Sequence, residues 1–163
     1  MRRSPLLIFV LAALALIGAL AAPAGRASVR PALSDTDPPV NETHIFQGEI
    51  NRRGKPVGYH SRPGGRDPAG ARVARIVQGP NRLGVYVAQV EIRDRDGDWL
   101  RKVSTFYPDA MSRREVVRAI LHAYERRTTG GAEKFRGPSG KGFTIEGYYQ
   151  NGRINTAWPI FQR

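Results

Sequence analysis

The chain has 163 residues, with 26 Lys and Arg against 14 Asp and Glu, for a net charge of +12. That length suits one domain, and the basic excess favours polyanionic partners, namely nucleic acid, anionic membrane or acidic protein. There is no cysteine, which excludes disulfides, thiolate catalysis, thiolate metal sites and a cysteine-linked lipid anchor.

Arg2 and Arg3 open the chain, Leu6 to Ala22 is almost unbroken apolar sequence, and the small residues of Ala22-Pro23-Ala24 follow. This is the layout of a secretory signal peptide over residues 1–24, with Gly25-Arg26-Ala27 as a second cleavage point. An uncleaved anchor is the rival, because the apolar run is near the lower limit for spanning a bilayer. The small residues favour cleavage. The expectation is therefore a secreted or periplasmic protein with no stable membrane association after processing. Residues 25–40 hold several prolines and few large apolar groups, and read as a flexible linker. The folded domain is expected over 41–163, about 120 residues, enough to bury roughly two thirds of its unfolded surface.

The domain opens with His44 and His60, two of the three histidines, separated by a basic stretch that includes Arg52, Arg53 and Lys55. Histidine exchanges protons near neutrality, so the pair reads either as an acid/base couple in a phosphate-attracting field or as two surface residues of a basic loop. Spacing leaves both readings open. Asn41-Glu42-Thr43 just before it fits an N-glycosylation pattern, a short motif that recurs by chance.

Arg62 to Gly70 is rich in glycine and proline and predicts an irregular loop. Ala71–Gln78 and Gly84–Arg93 predict strands. In the second, Tyr86, Ala88, Val90 and Ile92 face one way, and Val85, Val87 and Gln89 the other. Asp94, Asp96 and Asp98 alternate around Gly97 in a faint likeness of a calcium loop, without its closing glutamate; Asp96-Gly97 reads better as a hairpin turn. The returning strand, Asp98–Tyr107, puts Lys102 and Ser104 on one face and Val103 and Thr105 on the other.

Ser112 and Glu115 form a capping box opening a helix that runs to Arg127, with Val116, Val117, Ile120, Leu121 and Tyr124 as its apolar stripe. His122 falls off that stripe and is assigned no role. Thr128–Gly142 predicts a loop. Its Gly137-Pro138-Ser139-Gly140-Lys141-Gly142 run lacks the spacing and the Ser/Thr of a phosphate-binding loop. Phe143–Gln150 and Arg153–Ile160 predict a hairpin closed by Asn151-Gly152, with Ile154, Thr156, Trp158 and Ile160 on one face. Antiparallel strands joined by tight turns, with one helix packed on them, define the α+β class.

Six landmarks follow one another in order: His-Ile-Phe-Gln-Gly at 44–48, Gly-Tyr-His-Ser at 58–61, Gly-Val-Tyr-Val-Ala at 84–88, Lys-Val-Ser-Thr-Phe-Tyr-Pro at 102–108, Gly-Phe-Thr-Ile-Glu-Gly-Tyr at 142–148 and Ile-Asn-Thr-Ala-Trp-Pro-Ile at 154–160. Together they resemble the bacterial EndoU nuclease family of exported and contact-dependent toxins, over His44 to Ile160. The resemblance implies two small antiparallel sheets flanking an RNA-binding groove, with the main helix packed on the sheet. It assigns His44 and His60 to the catalytic histidines, and Lys102 (or its neighbour Arg101) to the catalytic cation. Ser104, with Thr105 as the competing choice, takes the place of a base-contacting residue. Thr156 and Trp158 match a closing Thr-x-aromatic-Pro motif in which relatives usually carry tyrosine. Arg52, Arg53 and Lys55 become contacts to the RNA backbone.

The implied activity is an endoribonuclease that cleaves single-stranded RNA by attack of the 2′-hydroxyl, leaving 2′,3′-cyclic phosphate and 5′-hydroxyl ends. No metal or cofactor is required, although some relatives respond to manganese. An acidic immunity protein is the expected protein partner. The rivals are a non-catalytic nucleic-acid-binding module and a cationic protein acting on envelope surfaces.

Overall fold

A computed structural model describes residues 31–130 and 133–163. The expected signal-peptide segment and the first part of the expected linker lie outside the described residues, among which no helix is long and apolar enough to cross a membrane.

The described chain begins with an extended strap. Ala32 O accepts from Glu42 N at 2.8 Å, Ser34 N donates to Val40 O at 2.9 Å, and Val40 bridges Ile154 in parallel. Val40 is fully buried. Residues 32–40 therefore belong to the folded unit, which starts earlier than the expected boundary at 41; proline-rich sequence with few large side chains is ordered here through its backbone bonds and a single buried valine.

Asn41 caps a short helix, α1 (Glu42–Phe46), its Oδ1 accepting from His44 N at 3.1 Å. With Asn41 only 5% exposed, the glycosylation pattern is occupied by a structural duty. Asn41→Ala removes this cap and is expected to cost about 1 kcal/mol of stability, read as a lower midpoint in thermal or urea melts. A two-stranded ribbon follows, β1 (Glu49–Ile50) and β2 (Pro56–Val57), where the sequence suggested only irregular chain. Strands this short carry too few side chains to show a period of two.

Two antiparallel sheets form the body. The first is β3 (Ala71–Gln78), β4 (Tyr86–Arg93) and β5 (Trp99–Phe106) in that order. Asp94 Oδ1 accepts from Asp96 N and Asp98 N in the β4–β5 turn, so the aspartates shape a hairpin as expected. The second sheet is β6 (Thr129–Gly130), β7 (Lys134–Pro138), β8 (Thr144–Gln150) and β9 (Arg153–Pro159). The expected 128–142 loop thus contains two strands. Phe135 and Gly137 are the inward positions of β7, too few to signal a strand by themselves.

Helix α2 (Arg113–Glu125) starts at the predicted capping box, with Ser112 Oγ and the Glu115 carboxylate both engaged. It buries Val116, Val117, Ala119, Ile120 and Ala123 against the second sheet, joined there by Phe135, Ile145, Ile154 and Ala157. A second apolar cluster of Tyr59, Tyr86, Ala88, Val90, Ile92 and Phe106 fills the inner face of the first sheet. Val85 departs from the expected alternation: it precedes β4 and is buried in the helix-side core. Arg113 fastens α1 to α2, pairing with Glu42 at 2.8 Å and lying 4.0 Å over the Phe46 ring.

The last strand corrects a facing assignment. Register shifts between Tyr148↔Thr156 and Tyr149↔Ile154, so Asn155 is an extra residue. Such a bulge turns the residues on its two sides to opposite faces. Ile154 joins the core under α2, while Thr156 and Trp158 share the face opposite to Ala157, away from the helix.

Candidate active site

The two histidines are brought together by the backbone. Tyr59 N donates to His44 O at 2.7 Å, His60 N to Ile45 O at 2.8 Å, and Tyr107 N to His60 O at 2.9 Å. The turn that allows this is left-handed at Gly58 (φ 75°) and Tyr59 (φ 59°). Any Cβ at residue 58 would lie 2.3 Å from the His44 carbonyl oxygen, so only glycine fits.

The rings of His44 and His60 stand 6.1 Å apart between centroids, and the Trp158 ring lies 6.0 Å beyond His60. His60 is buried, and its Nδ1 is 3.0 Å from Thr105 O. A carbonyl only accepts, so Nδ1 carries the proton and the neutral ring is left with Nε2 as its acceptor. Burial first, then the positive charges of Lys102 and His44, hold the His60 pKa well below the ordinary imidazole value, against a smaller opposing effect of the Thr105 carbonyl. His60 is thus a neutral base near pH 7.

His44 is set differently. Its Nδ1 lies 2.7 Å from Glu49 Oε1, and the hydrogen bond from His44 holds that carboxyl below its usual range. The ionised Glu49 fixes the ring in place. With Nδ1 held on the carboxylate, Nε2 is the ring nitrogen left for exchange with a ligand. Two neighbouring imidazoles held through Nδ1 on different partners are an arrangement suited to acid/base chemistry.

Lys102 is half-buried beside this pair. Its Nζ donates to Gly58 O at 2.8 Å and to Ser104 Oγ. Burial lowers its pKa to about 8. Arg101 points to the opposite side of β5 and pairs with Glu91 at 2.8 Å, so alternation along the strand leaves Lys102 as the cation on the histidine side. Ser104 is 3% exposed. Its hydroxyl donates to Gly58 O at 3.1 Å and sits 3.4 Å from His60 Nδ1, beneath the lysine and histidine rather than open to a base. Thr105 contributes its backbone carbonyl, while its side chain belongs to the outer face.

On the second sheet Thr156 lies opposite Tyr148, and Trp158 lies opposite Glu146. Tyr148 and Trp158 are both half-exposed, with ring centroids 6.0 Å apart, giving an aromatic surface next to His60. Arg52, Arg53 and Lys55 are exposed at the β1–β2 turn. The structure does not place them at the histidines; Arg52 lines a hollow with Asp94, Arg95 and Asp96 of the β4–β5 turn.

Three contributors were missed in sequence: Glu49, the Thr105 carbonyl and Tyr148. The carbonyl has no side-chain signature, and Glu49 reaches His44 only because the chain turns between α1 and β1. Tyr148 is visible as a residue of the fifth landmark, but its neighbourhood with Trp158 depends on register. His122, unassigned in sequence, hydrogen-bonds through Nδ1 to Pro138 O at 2.8 Å. Among the described residues no three His, Asp or Glu side chains converge, so those residues offer a manganese ion no shared donor set.

Fold and site together define an α+β protein with two neighbouring histidine rings and a partly desolvated lysine at the meeting of two sheets. The model of the family described as bacterial EndoU nuclease matches residues 40–161, and the chain belongs to that family. A Bacillus cereus protein named "Toxin" is 34% identical over 121 residues, covering 71% of this chain and 21% of the relative. The chain thus spans about a fifth of that relative's length. No solved structure matches the chain.

Proposed function

We propose that this domain is an exported, toxin-type endoribonuclease that cleaves single-stranded RNA through the RNA's own 2′-hydroxyl. The observation that carries the reading is the bond from His60 Nδ1 to the Thr105 carbonyl, which frees Nε2 as a base across a short gap from His44. His60 Nε2 takes the 2′ proton, the 2′-oxygen attacks phosphorus, and His44 protonates the departing 5′-oxygen. Lys102 stabilises the added negative charge on the pentacovalent phosphorane. The products are a 2′,3′-cyclic phosphate and a 5′-hydroxyl. Trp158, with Tyr148 beside it, stacks on a base or ribose, a contact worth about 1–3 kcal/mol per base. Thr156, on the same strand face as Trp158, contacts the same nucleotide. Ser104 holds Lys102 and His60 in place. Arg52, Arg53 and Lys55 act as outlying backbone contacts.

The strong positive charge supports a polyanionic substrate, and also an acidic immunity protein that covers the groove. The toxin role rests on the family and on the relative's name. Export rests on the amino-terminal pattern.

The test is incubation with an end-labelled single-stranded RNA and analysis of the new 3′ ends. Cyclic phosphate ends, with resistance of a strand carrying a single 2′-deoxy nucleotide at the cut site, are expected. Ends bearing a 3′-hydroxyl sink the mechanism, and retention of RNA without cleavage identifies a binding module. Glu49→Gln, which keeps a hydrogen-bonding group but removes the charge, is expected to lower kcat by at least about 10-fold, with KM near that of the wild type in steady-state assays.

A further inference from the structure

Tyr59 is a bulky, fully buried residue held at φ 59°, a conformation that L residues other than glycine rarely adopt. It sits immediately before His60, and what holds it there is specific. Its ring packs edge-on to Phe106 with centroids 5.0 Å apart, and its hydroxyl donates to Asp67 Oδ1. Burial and that carboxylate both push the Tyr59 pKa far above the ordinary phenol value, so it remains a donor at any working pH.

Asp67 belongs to the irregular 62–70 loop, which carries no assigned role from its sequence. The loop is itself tied down: Arg62 donates to Tyr86 OH at 2.8 Å, pairs with Asp109 at 3.0 Å and lies 3.6 Å from Asp67. Gly64 N donates to Asp109 O at 2.7 Å. The loop is therefore a tied-down bracket that reaches the histidine segment through the Tyr59 hydroxyl.

We infer that Tyr59, anchored by Asp67, is a positioning residue that holds the 58–60 backbone in its left-handed turn and thereby aims both the Gly58 carbonyl and the His60 ring. Released from Asp67, residue 59 relaxes toward negative φ. The Gly58 carbonyl then swings from Lys102 and Ser104, and His60 Nδ1 from Thr105. Strained backbone kept by surrounding contacts beside reacting groups is a recognised means of preorganisation. The inference rests on the nuclease reading above for its kinetic consequence, and on geometry alone for its structural one.

The experiment compares the mature wild-type chain with Tyr59→Phe, Asp67→Asn and the double variant. Each single change is expected to lower kcat on single-stranded RNA by about 10- to 100-fold, with KM within about twofold of wild type. The double variant should be no slower than the worse single one, because both remove the same bond. Phe135→Leu, in the other core, should lose stability while keeping kcat. The second readout needs no activity: the ring N–H of His60, held on Thr105, gives a sharp downfield proton resonance in the wild type that broadens or moves in both single variants. Unchanged kcat in Tyr59→Phe, multiplicative losses in the double variant, or an unmoved His60 resonance each overturn the inference. A wild-type protein that leaves RNA intact sinks the nuclease reading instead, and the resonance still decides the role of Tyr59.

Discussion

His60→Ala is expected to reduce RNA cleavage by about 10²- to 10⁴-fold while leaving the fold intact, because the ring lies in the site between His44 and Trp158 and belongs to neither apolar cluster. Single-turnover cleavage and a circular-dichroism melt on the same preparation separate the two effects. The pH dependence follows from the sign of the shift. Folded His60 has a pKa below its unfolded value of about 6.5, so between the two the unfolded chain binds more protons and stability rises with pH. Acidification through that window costs stability in the wild type, and His60→Gln loses that component. Catalysis follows the same limb, since only the neutral ring accepts the 2′ proton. The acid side of the rate profile should therefore lie below pH 6.5.

Lys102→Met should lose cleavage by about 10²- to 10³-fold, the scale on which a transition-state charge contact is felt, without the usual cost in stability. Burial lowers the lysine pKa from 10.5 to about 8, a shift corresponding to about 3 kcal/mol spent on keeping the charge in place. Methionine removes that cost but leaves the Gly58 carbonyl and the Ser104 hydroxyl one donor short, a loss of about 1–3 kcal/mol. The two nearly cancel, so urea midpoints at pH 7 should match the wild type or exceed it. Folded Lys102 gives up its proton before unfolded lysine does, so its unfavourable contribution fades between pH 8 and 10.5. The alkaline limb of the rate profile should fall near pH 8 and disappear in the methionine variant. Retained activity there, or a marked loss of stability, contradicts the assignment of Lys102 as a desolvated catalytic cation.

The elements carried by side-chain period were legible in the sequence. The β4–β5 hairpin, the capped helix α2 and the Asn151-Gly152 turn all declare themselves through alternation, a capping box or turn chemistry. What the sequence did not show depends on backbone. The strap at 32–40, the ribbon β1–β2 and the strands β6 and β7 are held by main-chain bonds with few apolar residues to mark them. The bulge at Asn155 is equally silent, yet it decides that Thr156 and Trp158 look away from α2. At the site, His44, His60 and Lys102 emerged from ordered landmarks, and alternation along β5 explains why Lys102 rather than Arg101 adjoins the histidines. Glu49, Asp67 and the Thr105 carbonyl reach the histidine segment only after the chain has folded back on itself.

The strap has a mechanical consequence. Among the described residues, a pull toward the amino terminus is borne first by the bonds joining Pro39 and Asn41 to Ile154, and by those from Ala32 to the start of α1. Next in line is the short helix that bears His44. Force applied there is passed through the strap directly to the segment that carries His44.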